Sequence, residues 1–241
     1  ISFFYINYSN SNIFDFDKIP YFVLTDDDYI VRYHNFFNVN KNKSKKDILQ
    51  HWKKAKYEFA FIAEKRKGDK YNIRNLEHNI YGLCDFRTRV TEFLNSKNTN
   101  LIEGKNWEVD KKRQDLPDWH LDKLSKVKLN ARYISALENT HQKNYISEKI
   151  FDSYCCLGIP LYFSDSSHNI KKIISDKSFI NLFDFDFEEG SFDKLVSSFD
   201  IDSYMDTIEN LSDIFSDYQS IQKERESFVV RVIHELKKIL G

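Results

Sequence analysis

From Tyr57 onward, short apolar runs of strand length alternate with stretches whose apolar residues recur at helical spacing, and this alternation restricts the fold more than any other feature. The run YEFAFIA has the length and aromatic content of a buried strand. In FRTRVTEFL, between Asp85 and Asn95, Phe86, Val90 and Phe93 share one helical face, and Leu101-Ile102 reads as a second short strand. An amphipathic helix over Asp118 to Val127 precedes the strand-like ARYISALE. After the polar loop ENTHQKN, residues Ile146, Ile150, Tyr154 and Leu157 return to helical spacing. Gly158 is then expected to stop that helix, and Pro160 opens the strand PLYF. SFINLFDF is predicted to be a further strand, and Ser203 to Leu240 two long helices. Strands separated by helices predict an α/β fold, a Rossmann-like parallel sheet with helices on both faces.

With only 6 Gly and 3 Pro, long flexible linkers are absent. Residues 1–46 read as aromatic-rich but irregular, a linker or the remnant of an N-terminal domain, with a surface loop at NVNKNKSKK. Residues 47–202 form the α/β domain and 203–241 the C-terminal helices. The start at Ile1, in a strand-like aromatic stretch, reads as a cut. Lys plus Arg number 36 against 37 for Asp plus Glu, so a net charge of -1 provides no general field for nucleic acid. Three cysteines, Cys155 and Cys156 being adjacent, make a poor disulfide framework and point to a reducing, cytoplasmic setting. No apolar run approaches the ~18 residues that would span a bilayer. The segment FVVRVIHELKKIL, with Val229, Val232, Ile233 and Leu236 near one face, is expected to pack against protein rather than lie on a membrane.

In open α/β sheets the ligand sits beyond the carboxyl ends of the strands. The loop from Glu138 to Tyr145 is such a place, and the helix entered near Ser147 is expected to offer unpaired amides to a phosphate. Lys149 lies in that first turn, where a cation is unfavourable for the helix alone. It becomes reasonable beside a bound anion. Glu148 next to it would accept hydrogen bonds from sugar hydroxyls. Spacing alone does not separate this reading from ordinary solvated residues on a turn.

The segment ALENTHQKNYISEKIFDSYCCLGIPLYF resembles the signature of the α1,3/α1,4-fucosyltransferase family: Glu-Asn-Ser, a short gap, Tyr-Val-Thr-Glu-Lys, an amphipathic helix, and a strand of small residue, Pro, apolar residue and Tyr. KLSKVKLNARYISALEN, FAFIA and FRTRVTEFLNS resemble its flanks, so the likeness runs over Tyr57 to Asp186. The resemblance implies the C-terminal, donor-binding half of a GT-B type inverting transferase. Asn139, Tyr145, Glu148 and Lys149 would contact GDP-fucose, with Glu138 beside them. Lys149 would neutralise the pyrophosphate, Glu148 would lie by the ribose or fucose, and Arg87 would match the diphosphate-binding arginine, with Arg89 as its rival. Glu148 and Lys149 are thus the catalytic candidates, and Arg87, Asn139, Tyr145 and Glu138 the substrate-binding ones. The family's carboxylate base comes from an N-terminal, acceptor-side domain, expected here to be missing or reduced to a remnant. The implied partners are a nucleotide-sugar donor and a glycan acceptor, with no cofactor required.

Where the family has Gly after the strand, this chain has Ser164 and Asp165. The pairs Asp15/Asp17, Asp26/Asp28 and Asp184/Asp186 would suit a divalent metal, which is not predicted because cationic side chains already answer the phosphate charge. His141 reads as a loop residue, and Cys155 and Cys156 as packing. The alternatives are a catalytically inactive nucleotide- or glycan-binding module, or a transferase of another nucleotide sugar.

Overall fold

The computed structural model describes residues 6–95, 99–110 and 115–240; the strand-like start at Ile1 lies almost wholly outside them. Three helices come first: α1 (Tyr21–Leu24), α2 (Asp27–Asn40) and α3 (Lys45–Lys54). The stretch read as irregular is therefore mostly helical. Tyr29, Ile30, Tyr33, Phe37 and Asn40 form the buried face of α2, a helical spacing masked by the polar residues between them. The Asn/Lys/Ser cluster holds the end of α2, a short turn and the start of α3, where Ser44 and Asp47 form a capping box.

β1 (Tyr57–Ile62) is followed by β2 (Arg74–Asn75), β3 (Ile80–Gly82), α4 (Cys84–Leu94), β4 (Asn100–Glu103), α5 (Trp119–Val127), β5 (Ala131–Ser135) and β6 (Thr140–His141). Then come α6 (Glu148–Cys155), β7 (Ile159–Tyr162), β8 (Ile180–Asn181), α7 (Ser191–Val196), α8 (Ile201–Ser216) and α9 (Tyr218–Leu240). The main sheet has the order β4-β1-β5-β7-β8, with every pair parallel. Helices cover both of its faces. Phe59 and Phe61 enter the large core with Val90 and Leu94 of α4, while Ala60 between them points the other way and meets Leu124 and Val127 of α5.

A small antiparallel sheet, β2-β3-β6, was not legible in the sequence. It turns part of the ENTHQKN loop into a strand by pairing His141 with Tyr81. Gly158 also differs from expectation. The left-handed residue ending α6 is Leu157, at φ 56°, and Gly158 is small because a Cβ there would lie 2.3 Å from Ile134 Cδ1. The core is continuous across the sequence, joining Phe16, Phe37, Phe59, Tyr154 and Ile221.

Candidate active site

β1 is flanked by β4 on one side and β5 on the other, so the chain departs to both sides of the first strand. A crevice opens where such departures diverge, at the carboxyl ends of the strands. There a cavity of about 530 Å³ is lined by Ala63 and Glu64 after β1, Glu103 and Gly104 at the end of β4, and Ser135, Leu137 and Asn139 from β5 onward. Its walls are Arg87 of α4, Trp119, Asp122, Lys123 and Lys126 of α5, and Glu148 and Lys149 opening α6. Gly104 permits the close approach of its two rims, since at φ 138° its Cβ would stand 2.4 Å from the Ala63 carbonyl oxygen.

Among the described residues lining the cavity, six are cationic (Arg66, Arg87, Lys105, Lys123, Lys126, Lys149) and four acidic (Glu64, Glu103, Asp122, Glu148), an excess that favours an anionic ligand. The acids are matched within the cavity. Glu64 pairs with Arg66 at 2.6 Å and with Lys105 at 3.7 Å, Glu103 and Asp122 pair with Lys126, and Glu148 lies 3.5 Å from Lys149. Arg87 has no carboxylate partner among the described residues. It is buried, donates from one NH group to Asn139 Oδ1 at 3.0 Å, and has no partner at Nε. Its rival Arg89 is exposed and stacks 4.3 Å over the Phe187 ring, away from the cavity.

The helix entrance departs from expectation. The Ser147 amide and hydroxyl both donate to Glu138, at 2.7 and 2.8 Å, and Lys149 Nζ donates to the same carboxylate at 2.8 Å. The anion gathered by the start of α6 is therefore a side chain of the chain itself. Glu138 is buried behind the cavity wall and is not among its lining residues. Burial disfavours the Lys149 ammonium, but Glu138 and then Glu148 outweigh it and push its pKa up. Burial likewise opposes ionisation of Glu148, yet Lys149 and Lys123 hold it below the ordinary carboxylate value. Glu148 Oε2 is buried without a partner. A charged acceptor left unmatched at a cavity wall suits a ligand hydroxyl.

Tyr145 lies apart from the cavity, packed edge-on against Tyr8 with ring centroids 5.0 Å apart. Burial, then Glu138, raises its hydroxyl to about 12. His141 is buried in β6 with Nε2 3.2 Å from Asp165, so the departure at Ser164-Asp165 braces the loop behind the site. Asp15 accepts from Asn144, Asp26 caps α2, Asp28 pairs with Arg32, and none of the three aspartate pairs reaches the cavity. Among the described residues no three His, Cys, Asp or Glu converge as a metal site, and none of the helices is long and apolar enough to cross a membrane. The cysteines are free and buried.

Sequence reasoning missed Glu64, Arg66, Glu103, Lys105, Trp119 and Lys123. The first four follow the apolar runs of β1 and β4, and the carboxyl-end rule applied to those strands would have found them.

The family model for glycosyltransferase family 10 (fucosyltransferase), C-terminal part, matches residues 105–201, which hold α5, β5, the Glu138–Lys149 loop, α6 and β7. No curated protein and no solved structure matches the chain. Residues 105–201 are thus similar to the C-terminal domain of glycosyltransferase family 10, the fucosyltransferase family, and this match supports a fucosyltransferase-like glycosyltransferase.

Proposed function

We propose that the cavity binds GDP-fucose and that the protein transfers fucose to a hydroxyl of a glycan acceptor with inversion. The observation that supports this reading best is the pair of buried, unpartnered atoms Arg87 Nε and Glu148 Oε2, on residues lining one cavity. One calls for an anion and the other for a hydroxyl, and a nucleotide sugar carries both. As the glycosidic bond breaks, negative charge grows on the diphosphate. A guanidinium without a competing carboxylate then stabilises the transition state more than the ground state. Glu148 would sit by the sugar and favour its oxocarbenium-like character. Lys149, tied to Glu138 and Ser147, would neutralise the diphosphate together with Arg87. The family's base is a carboxylate on the acceptor side, and no residue described here is assigned to it. The three buried thiols fit a cytoplasmic location, and the ligands foreseen are the donor and a glycan, without a metal or nucleic acid.

The test is a titration of the whole chain with GDP-fucose, GDP, UDP, ADP and a single-stranded oligonucleotide, followed by a transfer assay with labelled donor. GDP and GDP-fucose should bind more tightly than the other nucleotides. Equal affinity for UDP and ADP, or preference for the oligonucleotide, would reject the assignment.

A further inference from the structure

Asp152 stands one helical turn after Glu148 on α6, fully buried, and three side chains converge on its carboxylate. His120 Nε2 lies 2.7 Å and the Tyr33 hydroxyl 2.9 Å from Oδ1, while Lys123 Nζ lies 2.9 Å from Oδ2. The arrangement is itself held. Arg32 NH1 donates to His120 Nδ1 at 2.9 Å and Arg32 NH2 to Asp118 at 2.6 Å, so the ring proton of His120 lies on Nε2, facing Asp152. Three helices, α2, α5 and α6, thus fix one carboxylate, and that carboxylate fixes one ammonium.

Lys123 also lines the cavity, with its side chain only 8% exposed. Its bond to Asp152 is the only hydrogen bond it makes among the described residues, which leaves two of its three N–H donors uncommitted. No carboxylate of the cavity lies within ion-pair distance of it. A buried ion pair that served only to join α5 to α6 would gain little over apolar packing. An ammonium held at a cavity wall with donors to spare gains a role if an anion arrives.

We propose that Lys123 is a second phosphate-contacting cation beside Arg87, and that Asp152 is its positioning residue. The inference rests on the nucleotide reading of the cavity and adds to it the residue that fixes where the diphosphate lies. Neither residue drew attention in the sequence, because Lys123 falls amid the polar positions of α5 and the partners of Asp152 come from other elements.

The experiment compares GDP with guanosine, which shares the base and ribose and lacks the phosphates. Losing a charge-assisted contact in Lys123→Met should weaken GDP about 10- to 100-fold and leave guanosine unchanged. Asp152→Asn should weaken GDP alone as well, and should add nothing once Lys123 is already Met; additive losses would make Asp152 merely structural. Should Lys123→Met fail to fold, the double variant K123M/D152N carries the test, since it leaves neither charge buried alone. GDP binding as tight as wild type in that variant, or parallel loss of GDP and guanosine, would overturn the role of Lys123. If the wild-type chain itself binds GDP no better than guanosine, the diphosphate reading of the cavity falls, and this inference with it.

Discussion

Arg87 and Glu148 differ from Lys149 in what their removal leaves behind. Replacing Glu148 by Gln keeps the shape and takes away the charge, so donor affinity should hold within a few fold while kcat falls about 100-fold, as for a group that acts mainly in the transition state. Steady-state kinetics separates the two, and a fall in affinity with kcat intact would move Glu148 to ground-state binding. Lys149→Ala is a poorer probe than the sequence suggests, because it strips the buried Glu138 of its only ion-pair partner among the described residues. Breaking such a pair destabilises by roughly 3 kcal/mol, so this variant should melt early in urea as well as lose activity, whereas Lys149→Arg should keep the fold. A third residue sets acid tolerance. Burial first, then His141, depresses His168 from the ordinary 6.5 to about 3, and its Nδ1 accepts from the Ile170 amide, which requires that nitrogen unprotonated. The unfolded chain therefore binds a proton that the folded chain refuses, and the stability from this residue is present above about 6.5 and lost as pH falls toward 3. His168→Asn, which can still cap the following turn, should flatten the decline of the urea midpoint between pH 7 and pH 5; an unchanged slope would assign the decline to other groups.

The strands and helices that carry the site were legible because their patterns are local. YEFAFIA, ARYISALE and PLYF became β1, β5 and β7, and of the periodic apolar residues Ile150 and Tyr154 fall in α6, with Ile146 and Leu157 just outside its ends. What stayed hidden depends on partners distant in sequence. β6 is two residues long and is a strand only because Tyr81 and Gly82 lie alongside it. SFINLFDF yielded only Ile180–Asn181 as a strand, since the sheet ends there and no further neighbour pairs with the rest. Of the cavity lining, Asn139, Glu148 and Lys149 were readable from the motif and Arg87 from its upstream flank, but the pairing of Lys149 with Glu138 and the Asp152 network were not, because i to i+11 contacts and contacts between three helices leave no period. Gly158 shows the same division. Its identity looked like a helix stop, yet its constraint is the Ile134 side chain across the sheet. Gly158→Ala should cost about 1–3 kcal/mol by overpacking, and the double variant with Ile134→Val should recover part of that; recovery absent from the double variant would point instead to the backbone.

At the scale of the molecule, the cavity depends on residues that do not line it. α2 lies against α6 and α8, and its Tyr33 hydroxyl meets both the Glu148 carbonyl and the Asp152 carboxylate, so α2 supports the wall that carries Glu148. Phe37 and Phe215 stack at 5.8 Å, which joins α2 to α8, and Trp52 donates to the Leu157 carbonyl at 2.7 Å, which ties α3 to the helix-to-strand turn of the central sheet. One shared core of this kind should unfold as one unit. The three tryptophans report on different places: Trp52 behind α6, Trp107 and Trp119 near the cavity rim. Denaturation followed by tryptophan fluorescence and by far-ultraviolet circular dichroism should therefore give coincident midpoints. Phe37→Ala removes a fully buried ring and should lower both midpoints together, by a stability loss of roughly 3–5 kcal/mol, although Phe37 touches no part of the cavity. If the circular dichroism and tryptophan fluorescence midpoints separate in Phe37→Ala, or fluorescence splits into two transitions, the amino-terminal helices, Trp52 among them, fold apart from the sheet, and support of the cavity wall by α2 is refuted.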